Sequence, residues 1–196
     1  MITKSQLQFK RAFDLVTVLL FLPILVIPIF ILILISSIET RQFGLFSQNR
    51  VGQHAKVFKI YKIRTLKEGQ HRLGSLVMHA TKIGKFLRKS KLDELPQLYN
   101  ILIGDMSFVG PRPDLIGFAD KLKGEDRIIL KVKPGITGSA TLKYVNEERV
   151  LERQKDPDHY NRAIIWVDKV KINKKYVMNY TFYLDLKLIL KTIFKK

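Results

Sequence analysis

LVTVLLFLPILVIPIFILILISSI, Leu15 to Ile38, runs for 24 residues without a charge. As a straight helix it would reach about 36 Å at 1.5 Å per residue, enough to cross a hydrocarbon core of about 30 Å once. A secretory signal peptide also joins a basic start, here Lys4, Lys10 and Arg11, to an apolar run. This run is longer than such a region, and no small-x-small cleavage site follows it. Pro23 and Pro28 lie inside the run. Each removes a backbone donor and pushes on the preceding turn, so the helix is expected to bend where no water can compensate. Basic residues stand on both sides, with Arg41 and Arg50 following the run. That distribution suits a re-entrant hairpin that enters and leaves by one face, while charge counting alone favours a single kinked span.

Outward from the anchor, the chain is 196 residues long, enough for one soluble domain with a real core. Its 35 Lys and Arg against 17 Asp and Glu give a net charge of +18. Such a field draws anionic lipid, nucleic acid or phosphorylated substrates. No zinc-finger, RNA-recognition or zipper pattern is present, and a long apolar tether is foreign to a nucleic-acid binder, so no nucleic-acid partner is expected. The absence of cysteine excludes disulfides, thiolate nucleophiles and Cys-ligated zinc, and fits a cytoplasmic protein.

Residues 43 to 65, FGLFSQNRVGQHAKVFKIYKIRT, predict two short strands around a Gly52 to Ala55 turn. Residues 66 to 80 are polar and predict a loop. Thr81 to Leu87 and Lys91 to Ile103 predict helices, the second from Leu92, Leu95, Tyr99 and Leu102 at helical spacing with Gly104 as the stop. GPRP must turn or extend, 114 to 130 reads as helical, VKPGITGSA as a loop with a strand leaving it, and 146 to 156 as a charged helix. The tail YVMNYTFYLDLKLILKTIFKK, with Lys187, Lys191, Lys195 and Lys196 near its end, predicts one amphipathic helix for the core or a membrane surface.

In this basic chain the adjacent acids Asp93 and Glu94 stand out. Ser90-Lys91-Leu92-Asp93 fits a capping box, with Ser90 as N-cap and Asp93 at the third helical position. Glu94 is not needed for a cap, and adjacent helical residues point about 100° apart, so at least one acid is free for other work. Amid Lys82, Lys85, Arg88, Lys89 and Lys91, Asp93 is expected to have a lowered pKa and stay ionised, and an ionised carboxylate can bind a divalent metal or attack phosphorus. The basic run TKIGKFLRKSK is either a solvated face or an anion site in which Arg88 holds a phosphate. Arg112, locked between Pro111 and Pro113, presents a guanidinium with little entropy left to lose. His54, His71, His79 and His159 show no metal-ligand spacing, and GxGxxG, GxxxxGK[ST] and GxSxG are absent.

The chain resembles the bacterial sugar transferases, the small monotopic phosphoglycosyl transferases, over nearly its whole length. The resemblance begins at KRAFD, 10 to 14, and the apolar segment. It continues through QNRVG, 48 to 52, and FKIYKIRT, 58 to 65, and peaks at TKIGKFLRKSKLDELPQLYNILIGDMSFVGPRP, 81 to 113. VKPGITG, 132 to 138, and YLDLKLILKT, 183 to 192, complete it. It implies an α/β fold, mostly helical with small strands: a re-entrant membrane hairpin over 1–42 and a cytoplasmic catalytic domain over 43–196 with amphipathic helices at the membrane surface. It implies that Asp93 attacks the β-phosphorus of a UDP-sugar, releasing UMP. The bound phosphosugar then passes to a polyprenyl phosphate such as undecaprenyl phosphate, starting a lipid-linked glycan for downstream glycosyltransferases.

Glu94 would work beside the nucleophile with Mg2+, Lys59, Arg88 and Arg112 would contact phosphate, and Asn100 and Asp168 would support the site. The resemblance also implies a bacterial inner-membrane location in contact with lipid, the catalytic domain facing the cytoplasm. The family breaks its membrane helix at a Ser-Pro; here Ile27 precedes Pro28 and Pro23 is an additional break. SATLKYVNEERV after VKPGITG also departs from the family pattern, in the half expected to sort the sugar. From another functional class, a non-catalytic basic membrane-tethered binding module, with Asp93 only a cap, is the alternative.

Overall fold

The structure, a computed structural model, describes residues 1–69 and 73–194, so His71, Lys195 and Lys196 lie outside the described residues. α1, Lys4–Thr40, opens on a reciprocal cap in which Thr3 Oγ1 accepts from the Gln6 amide and Gln6 Oε1 accepts from the Thr3 amide. It continues through Pro23 and Pro28 as one element. Because neither proline has an N–H, the carbonyls of Leu19 and Ile24 receive no helical bond from them. Val18, Leu22, Leu25, Ile29, Leu32, Ser36 and Thr40 fall at three- and four-residue steps on its covered stripe. Many apolar residues outside that stripe are bare, among them Leu20, Ile24, Ile27 and Phe30.

β1, Leu45–Val51, and β2, Val57–Ile63, form the expected antiparallel hairpin, with Gln48 opposite Ile60 and Arg50 opposite Phe58. The polar stretch after it contains a short helix α2, Leu76–His79. α3, Lys82–Ser90, is capped by Thr81, whose Oγ1 accepts from the Gly84 amide at 2.8 Å. Gly84 passes so close to β2's end that a Cβ there would sit 2.2 Å from the Thr65 carbonyl oxygen. The predicted helix from Lys91 to Ile103 is divided: Leu92–Glu94 is a 3-10 turn and α4 is Gln97–Ile103.

β3, Ser107–Val109, pairs in parallel with β4, Gly135–Thr137, so GPRP and VKPGITG are packed against each other. Side chains are excluded there, since a Cβ on Gly135 would lie 2.1 Å from the Gly110 nitrogen. β4 therefore lies within VKPGITG rather than leaving it. Residues 114 to 130, read as helical, carry only 3-10 turns at Ala119–Lys121 and Gly124–Lys131. α5, Ser139–Lys143, α6, Glu147–Glu152, and α7, Pro157–Tyr160, lead through one π turn into α8, Trp166–Met178. The expected single tail helix is two, because α8 stops before Asn179 and α9 is Phe182–Phe194.

Two of the three buried apolar clusters among the described residues join α1 and the hairpin to α4, and β3 to α8 and α9. Val18 of α1 is buried with Ile60 of β2, Leu98 and Ile101 of α4, and Met106. Val109, Val132, Tyr176, Val177, Tyr180 and Leu188 form the other. KRAFD is the hinge of this packing. Lys10 is paired with Asp185 of α9, which also accepts from the hydroxyls of Tyr176 and Tyr180. Arg11 donates to the carbonyls of Ile101 and Leu102, covering the unsatisfied C-terminal end of α4. Asp14 accepts from the Phe108 amide at 3.1 Å, which ties α1 to β3. A buried pair such as Lys10–Asp185 is tolerable only because further hydrogen bonds satisfy its members.

Candidate active site

Lys91, at φ 61°, breaks the chain out of α3 and starts the turn that carries Asp93 and Glu94. The capping box read from Ser90 is therefore not formed. Ser90 is the last residue of α3 and donates backward to the carbonyls of Phe86 and Leu87. Both acids are buried, Asp93 at 7% and Glu94 at 5% relative exposure.

α4 is docked by Asn100, whose amide behaves as a strand partner for β2. Its Nδ2 donates to the Lys59 carbonyl at 2.7 Å, and its Oδ1 accepts from the Tyr61 amide at 3.2 Å. Asn100 thus fixes the turn bearing the acids against the hairpin. Glu94 Oε1 takes two cations, Arg112 Nη2 at 2.7 Å and Lys62 Nζ at 3.2 Å. Behind Arg112, the Arg50 guanidinium donates to the Pro113 carbonyl at 3.3 Å and to Gln48 Oε1 at 2.8 Å. The rigid presentation of Arg112 thus comes from Arg50 as well as from the two prolines.

The electrostatics separate the two acids. Burial alone would raise Glu94, but Arg112, Lys62 and Lys91 hold it well below the usual carboxylate range. Asp93 moves the other way, and the expectation of a lowered pKa is corrected. Burial raises it first and the charge of Glu94 raises it further, against the pull of Lys62, Lys91 and Arg88. Of the cations that sequence proximity assigned to Asp93, Lys91 and Arg88 do pull it down, but burial and the adjacent Glu94 charge outweigh them. Burial also brings the Lys62 ammonium down to about 8, and raises the Asp114 carboxyl, which lies near Lys169, Arg50 and Arg112, to about 7.

Of the residues singled out in the sequence, Asp93, Glu94, Arg112 and Asn100 converge, and Arg88 acts on Asp93 by charge. Lys59 is exposed and reaches the assembly through its backbone carbonyl; the cation that β2 places on Glu94 is Lys62, three residues along. Asp168 on α8 accepts from Lys143 Nζ and Tyr144 Oη, both at 2.6 Å. Sequence reading passed over Lys62, Arg50, Asp114 and Gln97. Arg50 and Lys62 belong to QNRVG and FKIYKIRT, so the signal was there, but which lysine turns inward depends on strand register. Gln97 is 2% exposed, and its Nε2 and Asp93 Oδ1 are both buried without a hydrogen-bonding partner.

A buried carboxylate with an open acceptor, beside a second carboxylate neutralised by two cations, can act as a nucleophile toward an anionic, phosphorylated substrate. The model of one protein family, described as bacterial sugar transferase, matches residues 5–196. The sugar transferase EpsL of Bacillus subtilis is 35% identical over 189 residues, which cover 95% of this chain and 86% of that one. A UDP-glucose:undecaprenyl-phosphate glucose-1-phosphate transferase of Klebsiella pneumoniae is 34% identical over 95% of this chain, which spans only 40% of its length. A UDP-N-acetylgalactosamine-undecaprenyl-phosphate N-acetylgalactosaminephosphotransferase of Aeromonas hydrophila is 30% identical over 94% of this chain and 42% of its own length.

Proposed function

The chain belongs to the bacterial sugar transferase family, and from that premise we propose that it transfers a sugar 1-phosphate from a UDP-sugar to a polyprenyl phosphate through a covalent intermediate on Asp93. One Asp93 oxygen bonds the donor's β-phosphorus, the bond from that phosphorus to the bridging oxygen breaks, and UMP leaves with the electron pair. An oxygen of the polyprenyl phosphate then attacks the same phosphorus. The Asp93–phosphorus bond breaks, the carboxylate is restored, and the product carries the sugar on a diphosphate.

The observation that carries this reading is the buried Asp93, whose carboxylate accepts no hydrogen bond and whose Oδ1 is shut off from solvent, leaving Oδ2 to attack, next to a Glu94 whose charge is matched by Arg112 and Lys62. A base would need its proton partner within reach, whereas a nucleophile needs an oxygen left open. Arg88 and Lys59 hold the donor's phosphates, Arg112 adds its remaining N–H groups while staying on Glu94, Asn100 keeps α4 in place, and Asp168 supports the site from α8. Mg2+ is usually held by one or two carboxylates together with substrate phosphates, so an acid pair facing a diphosphate fits it although, among the described residues, no three acidic or histidine side chains gather. Both hydrogen bonds to Glu94 fall on Oε1, which leaves Oε2 as the oxygen to hold the ion. When bound, the ion supplies charge neutralisation on the diphosphate.

In this reading residues 1–42 form the membrane-associated part and 43–196 the catalytic part, on the cytoplasmic face of the bacterial inner membrane. α1 is re-entrant rather than spanning, bent at Pro23 and Pro28. The exposed Ile83 and Phe86 of α3 and Leu190, Ile193 and Phe194 of α9, interleaved with lysines, rest on the lipid surface. The product is then a substrate for enzymes that add further sugars. Asp93→Asn should reduce UMP release from a UDP-sugar by at least about a thousandfold, measured with Mg2+ and undecaprenyl phosphate. Undiminished release in that variant would mean that Asp93 is not the nucleophile, as in one-step transfer or in a tethered binding module.

A further inference from the structure

Between the 3-10 turn Leu92–Glu94 and α4, both linking residues, Leu95 (φ −53°, ψ −38°) and Pro96 (φ −61°, ψ −16°), keep helical angles. Asp93 and Gln97, four residues apart on this run, therefore share a face despite the change from 3-10 to α geometry. Asp93 Oδ1 is an acceptor and Gln97 Nε2 a donor, both are buried, and neither has a partner. An unsatisfied buried polar group is destabilising, and an apolar side chain of the same size would avoid that cost. The resting molecule thus keeps an unpaired acceptor and an unpaired donor four residues apart on one run.

The unmade pair has a chemical logic. A hydrogen bond to the resting carboxylate would lower its nucleophilicity, so its absence leaves the first transfer undamped. In the second transfer the electron pair of the breaking Asp93–phosphorus bond returns to the carboxylate and spreads onto Oδ1. A donor on Oδ1 at that moment stabilises the leaving carboxylate, because hydrogen bonds to charged acceptors are stronger than those to neutral ones. We propose that Gln97 is a catalytic residue whose Nε2 donates to Asp93 Oδ1 as the carboxylate departs from phosphorus, accelerating discharge of the phosphosugar to the polyprenyl phosphate. This assignment rests on Asp93 being the covalent nucleophile.

The test separates the two half-reactions in the full chain reconstituted in lipid nanodiscs. The donor is whichever of UDP-glucose, UDP-galactose and their N-acetyl forms the wild type turns over fastest, with radioactive phosphorus at its β position. Without acceptor, the burst of UMP and the label retained on protein report the first transfer; undecaprenyl phosphate is then added and loss of label is timed. Gln97→Met and Gln97→Leu should keep the burst within about threefold of wild type, while discharge slows about tenfold or more, as expected for losing one hydrogen bond to a charged group. Both variants should melt no lower than wild type, since each removes an unsatisfied amide. Burst and discharge falling together, or both unchanged, would overturn the assignment. No label on wild-type protein, or undiminished UMP release in Asp93→Asn, would instead remove the covalent reading and this one with it.

Discussion

Asp114 shows what burial does to a carboxyl that has cations near it but no share in the acid pair. It is raised from 3.8 to about 7, chiefly by burial, with Lys169, Arg50 and Arg112 only partly offsetting. Between about pH 4 and 7 the folded chain therefore holds a proton that the unfolded chain has already released. The associated stability is fully present below that window and is lost as pH rises through 7. Asp114→Asn has no such proton, so its melting temperature should fall less than that of the wild type between pH 5.5 and pH 8. Each kcal/mol of linkage corresponds to about 2–4 °C for a chain of this size. Equal slopes for the two proteins would show that Asp114 does not titrate in this range. At this scale the sequence disclosed the acid pair and Arg112, whose neighbours in the chain are also neighbours in space. It concealed Lys62, Arg50 and Asp114, because their burial is decided by β1, β2 and the GPRP segment meeting across long separations. For the same reason Asp93 was misjudged: adjacency to lysines along the chain says nothing of the burial that, with the Glu94 charge, outweighs them.

At the scale of elements, α4 is held from two sides by groups that match backbone to side chain. Arg11 covers its C-terminal carbonyls, and Asn100 replaces a missing strand partner for β2. Asn100→Ala would leave the Tyr61 N–H and the Lys59 carbonyl without those bonds. With each unsatisfied buried group worth about 1–3 kcal/mol, the variant should lose about 2–6 kcal/mol of stability, read by thermal or denaturant unfolding. A loss below about 0.5 kcal/mol would mean that water replaces the amide and that α4 is fixed elsewhere. The hairpin β1–β2 was legible because β-formers flank a Gly turn, and α3 because its Thr81 cap and apolar spacing agree. The boundary at Lys91 was not, since a left-handed residue ending a helix is ordinarily glycine or asparagine and here is lysine. The 3-10 turns after GPRP were hidden for a related reason: their apolar residues suit either helix type, and only packing against β1 and α8 selects the tighter form.

For the whole molecule, the open matter is which way α1 runs, and its contacts bear on that more than its composition does. Composition allowed one span or a hairpin, because 24 apolar residues can reach about 36 Å and basic residues flank both ends. In the fold, the first turns of α1 are bonded to α4, β3 and α9 through Arg11, Asp14 and Lys10. Its last turns are bonded to the same domain, with Ser36 donating to the Arg64 carbonyl and Glu39 accepting from the Ile83 amide at 3.1 Å. A hydrocarbon core about 30 Å thick excludes a folded polar domain, so a spanning α1 would have to surrender one set of these contacts. A re-entrant α1, as proposed, would keep both sets. Lysines carrying much of the +18 charge would then lie against one anionic leaflet, each adding about 1 kcal/mol of attraction near the surface. Cysteines introduced at Lys4 and at Gln42, in a chain that has none of its own, should both react with an impermeant maleimide only when it is admitted to the cytoplasmic side. Labelling of the two positions from opposite sides would establish a span, and one set of α1 contacts would then have to be absent in the membrane.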